Sequence, residues 1–474
     1  MNNNVLFAEF NPTTSQVGIE SIMDGTYRLD SQYYILFEDR TTEYKNCTFL
    51  NLADCCLELY EVPPFKHIYV RNGIPFYTSS DLFNIELTPS HFLSSEMPNI
   101  NTYIIKRDQI LLARSGNVES GVLGQLTLVG DKLHNSTTSD HVIRFTVDKS
   151  KIHNAYLATF LSSEFCKGQL LKNAAGAVIP AIRPEALMNI KVPILNEKIQ
   201  TDIGNLTIKA VIKREQAIDL LDKAKTLILY YNNLPSLNET EIDTLDPNKE
   251  VEIRLVSSNE FSNDYRLDAH FYNPVAKNII DNITQKSAKN SYLSDLAEDI
   301  IIGKRFKRNY VESEFGTPFL SGKNIIQIRP TDLKHLSNTE ISFIEELLIK
   351  KNWTLITCSG TIGRTCFVYN NYEDYAASQH ILRVVPNEEL IDPGYLYCFL
   401  STDYGYYQML RYKYGAVIDE IDDNNIANIR VPLCSPDFQK EIGNLVRQAY
   451  TLRAEAIQLE DEAQKILTVA LTGK

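Results

Sequence analysis

The residues of this sequence that could do chemistry are eight cysteines, eight histidines and a few short motifs. The cysteines contain no C-x-x-C pair and have no histidine at ligand spacing, so we expect reduced, mostly buried thiols rather than a zinc site or a disulfide framework. The histidines are scattered, and His141 and His380 recur in strand-like runs, where core or hydrogen-bonded histidines are the favoured interpretation. The sequence therefore predicts no metal site and no cofactor held by this chain.

Three segments resemble enzyme motifs in outline but lack a residue that the chemistry requires. A methyltransferase acting on a base amino group needs Asn, Asp or Ser before Pro-Pro-aromatic, whereas Val62–Phe65 begins with an apolar residue. Ser359–Thr365 lacks the spacing and the lysine of a phosphate-binding P-loop. Pro436–Lys440 has no second acidic ligand of the kind that a metal-dependent nuclease uses, so a helix N-terminus is the better interpretation. A standalone DNA nuclease or methyltransferase is the alternative left open.

Recognition chemistry is concentrated in one basic run and two Ser-Gly loops. Gly303–Tyr310 carries four positive charges in eight residues and no acid. Arg114 and Arg364 flank the loops Ser115-Gly116 and Ser359-Gly360, where short side chains would let the backbone come close to a phosphate. Arginine and lysine also suit guanine, and asparagine and glutamine suit adenine. These segments indicate local nucleic-acid contacts, with a solvated loop as the alternative for the basic run.

Length and charge limit the class of protein. The chain has 474 residues, which predicts roughly two to four domains. Its 47 Lys plus Arg against 60 Asp plus Glu give a net charge of -13, which argues against a protein that coats nucleic acid indiscriminately. No apolar run is long enough to span a membrane, and the first residues have neither a basic region nor a cleavage site. We therefore expect a cytoplasmic protein without a membrane span.

The chain is a tandem duplication of a unit of about 240 residues. The run YRLDSQYY from Tyr27 returns as YRLDAHFY from Tyr265, and FKHIYV from Phe65 returns as FKRNYV from Phe306. Further matches follow in the same order, and Ile203-Gly204-Asn205-Leu206 recurs letter for letter 239 residues later. Chance does not keep one register over such a length, so each unit should fold in the same way.

Each unit has a globular part followed by a long helix. Strand-like runs of the first unit are Gln109–Ala113, Val142–Val147 and Lys191–Ile194. An amphipathic helix is predicted at about Asn154–Leu171, and its copy at Tyr395–Arg411 has Asp392 as N-cap and Pro393 in the first turn. The globular part is therefore expected to be an α/β (α+β) domain.

The long helices are predicted from Ile203 to about Tyr230 and from Ile442 to about Leu471, because these stretches are rich in helix formers. Apolar residues step by four and three, as in a left-handed coiled coil, with Lys213 as one departure. The predicted seam consists of Leu206, Ala210, Ala217, Leu220, Ala224, Leu227, Leu445, Ala449, Leu452, Ala456, Leu459, Ala463 and Ile466. The favoured partner of each helix is the other copy, and the alternative is that each helix packs only on its own domain.

This organisation resembles the specificity (S) subunit of Type I restriction-modification enzymes over nearly the whole chain. The resemblance rests on the order of domains and helices and on the S-G-T-I-G-R loop at Ser359–Arg364. It also rests on the I-x-V-P strand at Ile429–Pro432 and on Gln200 and Gln439, which open the long helices. One departure is the first copy of the loop, Ser115–Gly121, which is longer and acidic.

The resemblance implies that the chain binds double-stranded DNA and is not itself an enzyme. Each globular part would be a target recognition domain for one half of a bipartite sequence, and the helices would form an antiparallel intramolecular coiled coil. Two methyltransferase (M) subunits carrying S-adenosylmethionine would dock on the chain, and endonuclease (R) subunits would join the full complex. A similar module serving another phage-defence or restriction-methylation effector is the alternative.

The expected domain boundaries follow from the repeat. They are a first target recognition domain at 1–200, a first long helix at 201–232, a linker at 233–250, a second recognition domain at 251–439 and a second long helix at 440–474. The two domains differ most between Phe76 and Arg107 and between Phe319 and Ile349, so the DNA target should be asymmetric.

The predicted DNA-binding residues lie in the basic run, the Ser-Gly loops and the matching positions of the other copy. They are Lys66, His67, Arg71, Arg114, Ser115, Asn117, Lys304, Arg305, Lys307, Arg308, Lys323, Thr361 and Arg364. A helix of 28 residues is about 42 Å long, close to one turn of B-DNA. If each domain recognises roughly three to five base pairs, about five to seven base pairs between the half-sites are not contacted.

Overall fold

The computed structural model describes residues 43–44, 47–116, 121–172, 174, 180–237, 255–256, 266–339 and 342–473. Asn117, most of the linker and the segment Gly176-Ala177-Val178-Ile179 therefore lie outside the described residues. The chain divides into two compact units. Unit 1 comprises the described residues up to Leu82, Pro89–Lys209 and the residues from Leu459 onward, and unit 2 comprises Phe83–Thr88 and Ala210–Gln458.

Unit 1 is an α/β domain built on two four-stranded sheets. Its strands are β1 (Thr48–Asn51), β2 (Cys56–Glu61), β3 (Tyr69–Val70), β4 (Ile74–Tyr77), β5 (His91–Leu93), β6 (Ile110–Ala113), β7 (Leu126–Leu128), β8 (Thr137–Thr138), β9 (Val142–Val147) and β10 (Lys191–Ile194). One sheet has the order β3-β5-β4-β8 and the other β2-β9-β6-β7, while β1 pairs with β10. Its helices are α1 (Asn154–Leu161), α2 (Glu164–Lys172), α3 (Pro184–Leu187) and the start of α4 (Glu197–Tyr231).

Unit 2 repeats this topology strand for strand. Its strands are β11 (Asn290–Tyr292), β12 (Ala297–Ile302), β13 (Tyr310–Val311), β14 (Gly316–Leu320), β15 (Lys334–Ser337), β16 (Thr354–Thr357), β17 (Thr365–Phe367), β18 (Ala376–Ala377), β19 (Ile381–Pro386) and β20 (Arg430–Pro432). The sheets are β13-β15-β14-β18, β12-β19-β16-β17 and β11-β20. Its helices are α5 (Pro274–Lys286), α6 (Leu293–Leu296), α7 (Ile344–Leu347), α8 (Pro393–Leu400), α9 (Asp403–Arg411), α10 (Asp423–Ala427), the part of α4 from Ala210 onward and most of α11 (Pro436–Thr472). The mixed α/β fold in two copies is therefore confirmed.

A buried arginine joins the two sheets of each domain. Arg144 on β9 is 0 % exposed, and its guanidinium donates to Thr138 Oγ1 on β8 at 3.0 Å and to the carbonyl of Tyr103 at 2.8 Å. The equivalent Arg383 donates to the carbonyl of Ala377 at 2.7 Å, and burial lowers its pKa to about 10. A buried guanidinium is costly unless it is hydrogen-bonded, so these contacts fix the position of one sheet against the other.

The predicted helix Asn154–Leu171 is wrong in one respect, because the structure has two helices there. α1 ends at Leu161 and α2 starts at Glu164, and the hydroxyl of Ser163 donates to the carbonyl of Phe160 at 2.6 Å. Ser and Thr hydroxyls that bond nearby backbone groups compete with helix continuation. The copy breaks at the same place, where Thr402 caps α9. Asp392 is the N-cap of α8 as predicted, accepting from the amides of Gly394 and Tyr395.

The long helices begin earlier than predicted. α4 starts at Glu197 and α11 at Pro436, because Asn196 and Ser435 accept hydrogen bonds from amides in the first turn. In both helices the opening glutamine is buried and holds the same loop. Gln200 accepts from the amide of His153 and donates to the carbonyl of Leu195. Gln439 makes the same two bonds one repeat later, with Asp392 and Cys434.

Close packing explains why the Ile-Gly-Asn-Leu motif is repeated unchanged. A Cβ on Gly443 would lie 1.9 Å from Asp392 Oδ1, and a Cβ on Gly204 would lie 2.3 Å from the ring of His153. In both units the first turns of the long helix therefore press against the residue that caps the preceding domain helix. Arg447 strengthens this contact in unit 2, since its guanidinium lies 2.9 Å from Asp392 Oδ2.

Within unit 2 the two long helices pair antiparallel. Lys213 Nζ lies 2.5 Å from Glu455 Oε2, and the Tyr231 hydroxyl donates to Glu441 Oε2 at 2.9 Å. The ring of Tyr231 also stacks on Phe438 with centroids 3.9 Å apart. Residue numbers thus rise along α4 as they fall along α11. The one polar departure in the predicted seam, Lys213, forms an ion pair across the helices.

The predicted seam positions divide by size. The six alanines are all 0 % exposed: Ala210, Ala217, Ala224, Ala449, Ala456 and Ala463. The predicted leucines and Ile466 are half-buried, whereas Leu221, Ile228, Val446 and Leu467, each one place later, are buried. In unit 2 the buried stripe is displaced because α4 and α11 also pack on the second domain, since Leu221, Ile228 and Val446 share one apolar cluster with Tyr395. Within the described ranges, no helix is long and apolar enough to cross a membrane.

Candidate nucleic-acid interface

The basic run of unit 2 is the connection between its two large sheets. Gly303–Asn309 leaves β12 and enters β13, and Lys304, Arg305 and Lys307 are exposed. The side chain of Arg305 is 80 % exposed, with its guanidinium 3.9 Å from Glu420 Oε1. Three of the four predicted cations therefore project from a loop whose two ends are held by sheets.

Arg308, the fourth cation of this run, is held by the domain. Its guanidinium donates to Gln379 Oε1 at 2.8 Å and lies 5.2 Å from the centre of the Phe319 ring. Gln379 Nε2 lies 2.9 Å from His380 Nε2. The pKa of His380 is lowered mainly by burial, with a further contribution from the charges of Arg308 and Arg305. This arrangement presents an amide and an imidazole, which suit base edges, beside a guanidinium, which suits bases and phosphates.

The Ser359–Arg364 loop joins β16 to β17 beside the group formed by Arg308, Gln379 and His380. Gly360 has φ +75°, a left-handed conformation that favours glycine, and a Cβ there would meet no atom within 4 Å. The Gly360 amide donates to the carbonyl of Asp419 at 2.9 Å, which holds the loop on the turn that contains Gly415-Ala416-Val417-Ile418. Thr361 and Arg364 are exposed, and Arg364 lies over the Tyr406 ring at 5.4 Å.

The equivalent surface of unit 1 carries different groups. Lys66 is exposed in the connection from β2 to β3, and Arg71 is exposed in the turn that follows β3. His67 is half-buried, and its Nδ1 lies 3.0 Å from the Tyr69 hydroxyl. Burial lowers the pKa of His67, and the charge of Asp140 partly opposes this shift. Asp140 precedes His141 just as Gln379 precedes His380, so one surface has a carboxylate where the other has an amide.

Two predicted residues of the first Ser-Gly loop make internal contacts. Arg114 is 19 % exposed at its side chain, and its guanidinium lies 3.0 Å from Glu61 Oε2 and donates to the carbonyl of Asp140 at 2.8 Å. Ser115 Oγ lies 2.7 Å from His141 Nδ1. Both residues position the loop in the folded domain. In unit 2, Lys323 is more exposed and lies 3.4 Å from Asp332 Oδ2.

Sequence reasoning missed an exposed tyrosine at the end of the connection between the two large sheets of each domain. Tyr69 and Tyr310 are 51 % and 43 % exposed, and His91 and Lys334 lie beside them on β5 and β15. The repeated FK-x-x-YV runs could have drawn attention to these tyrosines, because the repeat places Tyr69 and Tyr310 at the same position. The side chains on the neighbouring strands gave no such signal, since their pairing depends on sheet order.

The geometry defines a class of protein: two homologous domains, each with exposed cations and polar groups on connecting loops, joined to long paired helices. The family model described as Type I restriction modification DNA specificity domain matches residues 54–214 and 285–462. These two matches cover more than half of the chain, one in each repeat. The chain belongs to this family.

Solved structures of similar proteins were also found. The Type-I restriction-modification system S subunit from M. genitalium is 13 % identical over 90 % of this chain and 95 % of that chain, with a TM-score of 0.34. The HsdS subunit from Thermoanaerobacter tengcongensis is 15 % identical over 90 % and 96 %, with a TM-score of 0.28. The type IIG restriction endonuclease BpuSI is 12 % identical over 42 % of this chain and 33 % of its own, with a TM-score of 0.28. Family membership rests on the family model alone.

Proposed function

We propose that this chain is the DNA specificity subunit of a Type I restriction-modification complex and recognises an asymmetric bipartite target. The observation that carries the proposal is the chemical difference between equivalent surfaces of the two domains. One presents the amide of Gln379, which accepts from Arg308, and the other has the carboxylate of Asp140 near His67. Two homologous domains with different polar groups select different half-sites, because base edges are distinguished by their donor and acceptor patterns.

The second part of the proposal is that catalysis belongs to partner subunits. Two methyltransferase subunits that bind S-adenosylmethionine dock on the chain, and endonuclease subunits join the full complex. The paired helices are the proposed docking element, since each of them follows one recognition domain in the sequence. The chain selects the site, and its partners modify or cut the DNA.

Methyl transfer tests this division of labour. We expect the purified chain, incubated with unmethylated genomic DNA and labelled S-adenosylmethionine, to transfer no methyl groups above background. Adding methyltransferase subunits should give site-specific incorporation, because the specificity subunit supplies the sequence recognition. Methyltransferase subunits alone are the control. Incorporation by the chain alone would contradict the proposal and favour the standalone methyltransferase.

The exposed cations of the basic run should contribute phosphate contacts. Changing Lys304, Arg305 and Lys307 together to Ala is expected to lower the slope of log affinity against log salt by up to about 2.7, at about 0.9 per phosphate contact. The measurement is fluorescence anisotropy with a 40-base-pair duplex of random sequence between about 50 and 200 mM salt. Arg308 is left unchanged because it donates to Gln379 and lies over the Phe319 ring, so its loss would also disturb contacts within the domain.

A matched triple variant controls for the loss of three charges. Lys277, Lys286 and Lys289 are exposed in α5 and in the turn after it, and their change to Ala removes the same charge from unit 2. The control should keep the slope of the wild type. Equal slopes in both triple variants would mean that Gly303–Tyr310 is a solvated loop.

A further inference from the structure

Each recognition domain carries an equivalent cluster of rings and cations on its β3-β5-β4-β8 sheet or the duplicate of that sheet. We define the first cluster as His67, Tyr69, Phe76 and His91, and the second cluster as Arg308, Tyr310, Phe319 and Lys334. The two clusters occupy matching positions of the repeat, since FKHIYV aligns with FKRNYV and the G-x-P-F strands align as well. In each cluster only one member, His67 or Arg308, is among the DNA-binding residues predicted from the sequence.

The second cluster has two permanent cations around an exposed ring. Phe319 on β14 is 4 % exposed and forms its base, with the centre of the Tyr310 ring 6.3 Å away. Arg308 lies over the Phe319 ring at 5.2 Å, and Lys334 Nζ lies over the Tyr310 ring at 5.1 Å. Tyr310 itself is 43 % exposed. A hydroxyl and an ammonium group therefore reach the solvent side by side.

The first cluster has the same geometry with two imidazoles in place of the cations. Phe76 on β4 is 3 % exposed, and its ring centre is 6.4 Å from that of Tyr69. His67 lies 4.8 Å from Phe76, in the place of Arg308, and His91 lies 4.3 Å from Tyr69, in the place of Lys334. Tyr69 is 51 % exposed. The exposed hydroxyl is therefore flanked by two imidazoles, where the second cluster has two permanent cations.

Phosphate is the ligand that fits both clusters. Tyrosine hydroxyls, lysine, arginine and protonated histidine are all donors of the kind that contact DNA phosphates. Both clusters adjoin the connection that carries the exposed cations, since Arg308 belongs to the basic run and His67 follows Lys66. In a chain with net charge -13, such a concentration of donors beside a basic loop extends the same surface across the sheet.

We propose that both clusters contact DNA phosphates, with permanent charge in the second domain and titratable charge in the first. This inference rests on the proposed function. It makes DNA affinity depend on pH through the first domain, whereas the second cluster binds equally at all pH values in the physiological range. One chain thus has one half-site contact that responds to acidification and one that does not.

The sign of the pH effect follows from the groups around His67. It faces Tyr69 on β3, Phe76 on β4, His91 on β5 and Asp140 before β9. Burial and His91 lower the pKa of His67 in the free protein, and Asp140 partly opposes them. A bound phosphate favours the protonated form and raises this pKa. The extra affinity is therefore fully present below the pKa of the free protein and is lost as pH rises through the pKa of the complex.

A lysine variant tests the second cluster in the full-length chain. With a fluorescein-labelled 40-base-pair duplex of random sequence, Lys334→Ala should lower the salt slope by about 0.9, the loss of one phosphate contact. Lys351→Ala is the matched control, because Lys351 is exposed and also lies over a tyrosine ring, 4.8 Å from that of Tyr369. Its slope should equal that of the wild type. Equal slopes for Lys334→Ala and the wild type would overturn the proposal.

Histidine variants test the first cluster. The wild-type slope should be greater at pH ~5.5 than at pH ~7.5, and the double change His67→Ala with His91→Ala should reduce this difference by up to about 1.8. His134→Ala, at an exposed histidine outside the cluster, should leave the difference unchanged. A pH difference that persists in the double variant would overturn the titratable contact.

A gain of binding separates the proposal from a folding defect. His91→Lys should raise the salt slope at pH ~8 by about 0.9, because it places a permanent cation where the second cluster has Lys334. A folding defect cannot produce such a gain, and an unchanged slope in a variant that keeps the melting temperature of the wild type would contradict the proposal. If the wild type binds no duplex at any salt concentration or pH, the proposed function itself fails. Binding by the wild type with no response in any variant refutes the clusters alone.

Discussion

Ala449→Glu is expected to destabilise the helix pair of unit 2 and to lower its melting temperature by about 8 to 16 °C. Ala449 is 0 % exposed and belongs to the apolar cluster that contains Ala224 and Ile228 of α4 and Tyr395 of α8. An ionised carboxylate placed there loses its hydration, at a cost of about 4 kcal/mol in practice. In domains of this size 1 kcal/mol corresponds to about 2 to 4 °C, and the whole free energy of unfolding is only about 5 to 15 kcal/mol.

The neighbouring Gln448→Glu is the matched control. Gln448 is exposed on the same turn of α11, and the change adds the same negative charge. Its effect on stability should stay within about 0.5 kcal/mol. Thermal unfolding followed by circular dichroism at 222 nm compares the two variants, because the long helices dominate that signal. Equal melting temperatures would mean that the alanine stripe is not a close contact between helices.

Patterns with a local physical cause could be predicted from the sequence. Val142–Val147 and Lys191–Ile194 have the predicted bounds as strands, because apolar residues and short flanking turns define them. Asp392 caps α8 because a side-chain oxygen directly before a proline-initiated helix is a local signal. The duplication needed no structural knowledge at all, and both units have the same strand order.

Features that depend on tertiary contacts could not be predicted in this way. The predicted seam contains Leu220, but the neighbouring Leu221 is the buried residue in the structure. The reason is that α4 packs on the second domain as well as on α11. Arg114, which is predicted to bind DNA, also contacts Glu61 and Asp140, and these residues are far from it in sequence. The helix break after Leu161 depends on the hydroxyl of Ser163, although propensity favours continuation.

The candidate site shows the same division. The basic run and the Ser-Gly loops stand out in the sequence, and the structure places Lys304, Arg305 and Lys307 at the surface. The contact between Lys334 and Tyr310 depends on β15 pairing with β13, which no local pattern reveals. Cross-strand neighbours are therefore the part of a recognition surface for which a fold is needed.

Lengthening both long helices by one heptad is expected to lengthen the gap of uncontacted base pairs between the two half-sites by about three base pairs. Seven residues add about 10.5 Å to a helix, and B-DNA rises about 3.4 Å per base pair. α4 has 35 residues and α11 has 37, so they are about 52 and 56 Å long rather than the predicted 42 Å. The difference arises because both helices start earlier than predicted. The change per heptad does not depend on the absolute length.

The pairing of the helices fixes where the residues should be inserted. Insertions after Gln216 in α4 and after Ala454 in α11 lie at facing positions, as the contact of Lys213 with Glu455 indicates. These points are also nearly equivalent in the repeat. Seven residues at both points keep the apolar stripe continuous and leave Lys213 opposite Glu455. The control is the same heptad inserted in α4 alone, which puts the helices out of register and should abolish assembly.

Sequencing of methylated sites, with methyltransferase subunits present, measures the gap directly. The added three base pairs also rotate one half-site by about 100°, which DNA or protein must absorb, so we expect reduced affinity along with the longer gap. The half-site sequences themselves should stay the same, because the recognition surfaces are unchanged. If the variant methylates sites with the original gap, a structure other than these helices determines the distance between half-sites.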